Sequence, residues 1–123
     1  MRDFRQLKVW ERAHRLVLVV YRLTGSFPRH EMYGLTSQMR RAAASIPANI
    51  AEGCGRSANG DLHRFLTMAM GSASELEYFL LLAKDLEFET CQDYELVQLQ
   101  VTDLQRMLAA LIRKVEAARQ LPK

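Results

Sequence analysis

Five cationic residues near the start of the chain have a spacing that could serve nucleic-acid binding. They are Arg5, Lys8, Arg12, Arg15 and Arg22. On a helix, their steps of three, four, three and seven residues place them in a strip about 100° wide. Such a strip can track phosphates, because cationic side chains release counterions from a polyanion. The alternative is a solvated face, with or without pairing to carboxylates of the second half. Those carboxylates are Asp85, Glu87, Glu89 and Asp93.

The charge distribution leaves both interpretations open. Residues 1–64 contain 11 Lys and Arg against 5 Asp and Glu, a net charge of +6, whereas residues 65–123 contain 6 against 9, a net charge of −3. This asymmetry predicts either an anionic partner or electrostatic pairing between the two halves.

The Glu11-x-x-His14 spacing is the one that di-iron carboxylate bundles use. Such sites need two copies and two further glutamates, and this chain has a single copy. We therefore predict no metal site, with His14 tucked against the protein or at its surface. The chain also lacks a Gly-rich phosphate loop, a nucleophile motif and a Ser-His-Asp set, so we predict no enzyme activity and no cofactor.

Three carboxylates could approach one another across helices, namely those of Glu52, Glu75 and Glu77. Pairing with Arg41 is the simpler expectation for them, since a buried carboxylate needs a partner.

Four segments with apolar residues at helical spacing must position these groups. They cover about residues 7–24, 32–56, 61–87 and 94–118. Thr90 followed by Asp93 is a plausible capping pair for the last segment. The pattern predicts an all-α fold, an antiparallel up-down four-helix bundle that forms one domain over residues 1–123.

The apolar residues of the first and third segments predict the core-facing side of each. For the first segment these are Leu7, Trp10, Ala13, Val17, Val20 and Tyr21. For the third they are Leu62, Phe65, Leu66, Ala69, Ala73, Leu76, Leu80 and Ala83.

More apolar residues are present than one bundle core needs. Outside the predicted core sides lie Val9, Leu16, Val19, Leu23, Leu99, Met107 and Ile112. Large exposed apolar patches usually mark an interface, so we predict self-association.

No apolar stretch approaches the roughly 20 residues of a membrane span. The charged N-terminal stretch also lacks the apolar region of a signal peptide. We expect a cytoplasmic protein without membrane contact. Cys54 and Cys91 form no metal pattern and would lie too far apart for a disulfide, so reduced thiols are expected.

The stretch "SIPANIAEG", residues 45–53, interrupts the second segment. Pro47 lacks an N–H and crowds the carbonyl of Ala43, which costs about 3 kcal/mol inside a helix. We predict a kink there, with Asn49 as a polar group on the core side. Its candidate partners are Arg41, Ser45 and Glu52. The alternative is that Pro47 opens a second short helix capped by Ser45.

Three stretches carry a resemblance to a known family: "FRQLKVWERAHRL", "YGLTSQMRRAAASIPANIAEGCGR" and "FLTMAMGSASELEYFLLLAKDL". The chain resembles bacterial 23S rRNA intervening-sequence proteins from about Phe4 to Phe88. The matches in the second segment include Arg41, Ser45, Pro47, Asn49, Glu52 and Gly53. The resemblance implies a four-helix bundle with no known catalytic activity, assembled as a homopentameric ring.

A more distant resemblance is to the accessory protein of diversity-generating retroelements, a basic pentamer that binds a reverse transcriptase and nucleic acid. This chain departs from that protein in being only mildly basic, with a net charge of +3. Two functions stay open for a non-catalytic homo-oligomer. It could bind RNA or DNA through the strip on the first helix, or it could be a scaffold that holds a partner protein.

Overall fold

The computed structural model describes residues 3–120, which form four α-helices. They are α1 (Lys8–Thr24), α2 (Leu35–Cys54), α3 (Asn59–Asp85) and α4 (Cys91–Arg119), with short 3₁₀ turns at Phe4–Gln6 and Arg29–Glu31. Consecutive helices pack on each other and α4 returns to α1, so the predicted all-α up-down bundle is confirmed. The single-domain prediction also includes residues 1–2 and 121–123, which lie outside the described residues.

The helix ends follow local hydrogen bonding. As predicted, α1 ends before Gly25, whose N–H bonds the carbonyls of Tyr21 and Arg22. By contrast, α2 begins three residues later than predicted, because the Glu31 carboxylate accepts the Leu35 N–H at 3.0 Å and caps the helix there. The predicted Thr90 cap of α4 is confirmed, with its hydroxyl accepting the Asp93 N–H at 3.0 Å.

Burial confirms the predicted core side of α3 completely and corrects that of α1. The buried residues of α1 are Val9, Ala13, Leu16, Val20 and Thr24. Of the residues predicted there, only Ala13 and Val20 are buried, and Tyr21 is 46% exposed. Two apolar stripes lie side by side on this helix, and the positions of α2 and α4 decide which one faces inward.

The second helix runs without a break through Pro47, which is buried. The alternative of a second short helix capped by Ser45 is therefore wrong, while a bend at this point stays a prediction. Proline removes one hydrogen-bond donor. Burial of Ile46 and Ile50 on either side of it keeps both halves of α2 on one core.

Helices α2 and α3 approach each other closely because small residues lie between them. A Cβ atom at Gly53 would come within 3.0 Å of the Phe65 Cβ and 3.1 Å of the Leu62 Cδ1. A larger residue at this contact would require Phe65 or Leu62 to shift by a few tenths of an ångström.

Within residues 3–120, no helix has both the length and the apolar character to cross a membrane.

Candidate functional site

Three cations of the predicted strip, Arg12, Arg15 and Arg22, lie along the groove between α1 and α4. Arg5 lies in the 3₁₀ turn before α1, so its predicted place on the first helix is wrong, and Lys8 is the first residue of α1. Arg12 and Arg15 line a cavity of about 210 Å³ together with Gln100 and Asp103 of α4. About two to three turns further along, Arg22 lines a second cavity of about 340 Å³, which Asp93 also borders. The cations predicted to form one strip thus face a wall that carries carboxylates.

Two cations of the strip already have carboxylate partners. Arg15 pairs with Glu11 one turn before it at 2.6 Å, and Arg5 approaches Asp3 at 3.6 Å. Lys8, Arg12 and Arg22 are exposed and form no ion pair within residues 3–120. All five cations are exposed, and within residues 3–120 none of them pairs with Asp85, Glu87, Glu89 or Asp93. The alternative of a solvated face therefore stays open, without the pairing to the second half.

Three cavities follow one another along the groove. The third, of about 330 Å³, lies at the end of the groove, among Leu7 just before α1, Asn59 at the start of α3, and Leu111 and Val115 of α4. The residue order runs forward along α1 and backward along α4, as expected for two antiparallel helices. We call this surface the α1–α4 groove.

Apolar side chains give the groove its floor and one rim. Val19 and Leu23 are half-buried in its widest part, and Leu96 on the α4 side is 56% exposed. Leu99 is equally exposed, at 59%, but lies outside the cavities of the groove.

Some of the apolar residues predicted to lie outside the core are buried in the structure, and others are only partly buried. Val9 and Leu16, expected outside the core, are buried in it. Half-buried positions fall at Val19, Leu23, Met107 and Ile112. Several exposed apolar residues are not identified by their spacing in the sequence, namely Leu18, Met32, Tyr33, Met68, Tyr78, Leu81, Leu86 and Leu96. They lie on outer helix faces or in connections, where periodicity gives no signal.

The polar residues of α2 form a small network with α3. The Asn49 amide donates to the Ser45 carbonyl at 2.8 Å and to the Ser45 hydroxyl at 2.9 Å. That hydroxyl lies 2.7 Å from the hydroxyl of Ser72 on α3. Of the three predicted partners of Asn49, Ser45 is confirmed. Neither Arg41 nor Glu52 forms a hydrogen bond with Asn49 within residues 3–120. Ser72 was not predicted as a partner, since no spacing within α2 identifies a serine on another helix.

Arg41 and the three glutamates are not brought together. Glu52 pairs with Arg56 at 2.7 Å, and Glu77 accepts from Gln98 of α4 at 2.8 Å. Arg41 is exposed and has no carboxylate partner within residues 3–120, so its predicted pairing is wrong. The partner of Glu52 instead is Arg56, four residues after it and just beyond the end of α2.

The residues of the Glu11-x-x-His14 spacing have other partners. Glu11 pairs with Arg15, and the His14 ring stacks on Trp10 with centroids 5.2 Å apart. In the part of the chain that the structure describes, His, Cys, Asp and Glu form no group of three suited to a metal ion.

The carboxyl group of Glu89 is buried at the connection between α3 and α4. Neither oxygen of Glu89 has a hydrogen-bond partner within residues 3–120. Burial, and secondly the nearby charge of Asp93, raises the pKa of Glu89 from 4.5 to about 7. Since Asp93 borders the α1–α4 groove, Glu89 lies close to the end of that groove.

Residues 5–110 match the 23S rRNA-intervening sequence protein family, and the chain belongs to it. Its fold is similar to the crystal structure of a protein of unknown function from the S23 ribosomal protein family of Bacteroides thetaiotaomicron. That chain is 24% identical, with a TM-score of 0.77 over 85% of this chain and 97% of the other. Among curated proteins, none matches this chain.

Proposed function

We propose that this member of the 23S rRNA-intervening sequence protein family is a non-catalytic scaffold that self-associates and holds a partner chain. The α1–α4 groove is the surface through which its copies associate. The observation that carries the proposal is Leu96, 56% exposed beside half-buried Val19 and Leu23 in the widest cavity. An apolar floor with charged rims suits a helix whose apolar stripe is flanked by charged residues.

The charges of the groove favour a protein occupant over a nucleic acid. Arg12 and Arg22 lie opposite Asp103 and Asp93, so both signs are present on its walls. A polyanion would be attracted by one wall and repelled by the other. A polypeptide can match both, which gives the contact its register. The family resemblance supports a homopentamer as the assembled form.

Sedimentation analysis of matched variants tests this proposal. The wild-type chain is expected to sediment as an oligomer, five copies by resemblance. Leu96→Arg places a charge in the groove and is expected to shift the mass towards smaller species. Leu99→Arg is the control, because Leu99 is equally exposed and lies outside the groove. A wild-type mass of one chain would reject self-association, and dissociation by Leu99→Arg alone would reject the groove as the interface.

A second candidate function is nucleic-acid binding through the strip on α1. Lys8, Arg12 and Arg22 support it, because they are exposed without carboxylate partners within residues 3–120. Their positive charges remain available for phosphates.

A gel-shift titration with structured RNA across a salt series tests the strip. Arg12→Ala with Arg22→Ala is expected to reduce the slope of log affinity against log salt by about two. Arg113→Ala, an exposed arginine on α4, is the control. If the wild-type protein binds no RNA at low salt, the scaffold function stands alone.

A further inference from the structure

A cavity of about 280 Å³ lies where the end of α1 meets the start of α2. Its walls carry two tyrosines, two arginines and a methionine: Tyr21, Tyr33, Arg40, Arg41 and Met32. We call this surface the α1–α2 corner. No carboxylate lines it, in contrast to the α1–α4 groove.

The aromatic residues of the corner are open to an incoming ligand. Tyr33 is 97% exposed, and Tyr21 and Met32 beside it are each nearly half exposed. Isolated exposed apolar residues need no explanation, but three around one cavity form a patch.

Arg40 gives the corner a fixed cationic wall. Its Nε donates to the hydroxyl of buried Thr24 at 2.9 Å and another guanidinium nitrogen donates to the Tyr21 carbonyl at 3.3 Å. The same guanidinium lies 4.6 Å from the centroid of the Tyr21 ring. These contacts orient the side chain before any ligand arrives. Arg41 next to it is exposed and unpaired within residues 3–120.

We propose that the α1–α2 corner binds an unpaired nucleotide of a nucleic-acid strand. Tyr33 stacks on the base, Arg41 contacts a phosphate, and the Arg40–Tyr21 pair forms the wall behind them. Aromatic rings and guanidinium planes are the groups on which proteins stack single-stranded bases. Two cations without a carboxylate in the lining select an anionic ligand, and the cavity volume suits one base rather than a large cofactor.

This site goes beyond the scaffold function and differs from the strip on α1. The corner lies on the α2 side of α1, whereas Arg12, Arg15 and Arg22 face α4. Stacking requires a base that is not paired, so the corner discriminates single strands from duplexes. A strip that tracks phosphates accepts both.

Fluorescence polarisation with a short labelled oligouridylate at low salt tests the corner, with an RNA duplex of similar length as the comparison. Tyr33→Ala and Arg41→Ala are each expected to weaken single-strand binding about tenfold. Tyr33→Phe keeps the ring and is expected to bind like the wild type. Tyr78→Ala removes another exposed tyrosine, on α3, and is the matched control.

Several results would overturn the corner as a nucleotide site. One is absence of oligouridylate binding by the wild-type protein, and another is unchanged affinity of Tyr33→Ala. Equal affinity for strand and duplex, or loss of binding only in Arg12→Ala and Arg22→Ala, would assign the binding to the strip. A change in sedimentation mass with Tyr33→Ala would make the corner a contact between protein chains. Since that assay measures mass rather than RNA affinity, failure of the scaffold function and failure of the corner are distinguishable.

Discussion

Two pairs of helices in the bundle pack differently. Helices α2 and α3 pack closely, whereas α1 and α4 leave a groove between them. Between α2 and α3, Gly53 lets the backbones approach, and the hydroxyls of Ser45 and Ser72 meet at 2.7 Å. Between α1 and α4, three cavities remain, and Leu96 stays 56% exposed. Small residues permit close packing, whereas longer side chains hold helices apart. One side of the bundle is therefore closed by its own residues, and the other side is left available to a partner.

The largest difference is expected from leucine truncation on the two sides. Leu62 is buried against Gly53, so Leu62→Ala leaves a cavity and should lower the free energy of unfolding by about 2–5 kcal/mol. Leu96→Ala should change the free energy of unfolding of the single chain by less than about 0.5 kcal/mol, because the side chain is half exposed. Urea denaturation measures both.

Protein concentration sharpens this comparison. If Leu96 contacts a second copy, Leu96→Ala lowers stability only at concentrations where the wild-type chain associates. An equal loss of stability for both variants in dilute solution would contradict the contrast between a closed and an open side.

Replacing glycine by alanine should have opposite effects on stability at a packed position and at an open one. At Gly53 an added methyl group would lie 3.0 Å from the Phe65 Cβ, so Gly53→Ala should destabilise the fold by about 1–3 kcal/mol. Gly71 within α3 has no heavy atom within 4 Å of an added Cβ. Gly71→Ala should therefore stabilise by about 0.5–1 kcal/mol through helix propensity.

Thermal melts followed by circular dichroism measure this pair. Equal effects of the two substitutions would show that α2 and α3 can separate at Gly53 without cost.

The last prediction concerns pH at the end of the groove. Burial raises the pKa of Glu89 to about 7, so between pH 4.5 and 7 the folded chain binds more protons than the unfolded chain. The contribution of Glu89 to stability is therefore fully present below pH 4.5 and falls as pH rises towards 7.

Glu89→Gln should remove this part of the pH dependence and should be more stable than the wild type at pH 8. Urea unfolding at pH 5 and pH 8 measures the difference. An identical pH dependence of the two proteins would show that Glu89 is ionised and solvated in the folded chain.

The extent to which sequence predicts this structure differs from helix to helix. The third helix has one apolar stripe, and all eight residues predicted for its core side are buried. The first helix has two adjacent stripes that share Ala13 and Val20, and the prediction chose the one whose other residues are only partly buried or exposed. Hydrophobic period determines that a segment is a helix but cannot choose between two stripes of similar apolar character.

The candidate sites also differ in how far the sequence predicts them. Spacing alone placed Arg12, Arg15 and Arg22 on one side of α1, which the structure confirms. It did not show that Asp93 and Asp103 lie opposite, and it assigned Arg41 to carboxylates it does not contact. Contacts between residues far apart in the chain depend on the rotation of each helix about its axis.

The sequence by itself determined the number of helices, the end of α1 at Gly25, the cap of α4 at Thr90 and the placement of Arg12, Arg15 and Arg22 on one side of α1. These features depend on residues within a few turns of each other, where backbone geometry is the same in any bundle. Only the tertiary structure decided that Val9 and Leu16 face inward, that Ser72 completes the polar network of Ser45 and Asn49, and that a groove stays open beside α4. Those outcomes depend on how closely pairs of helices approach, because the side chains at each contact set the distance between them.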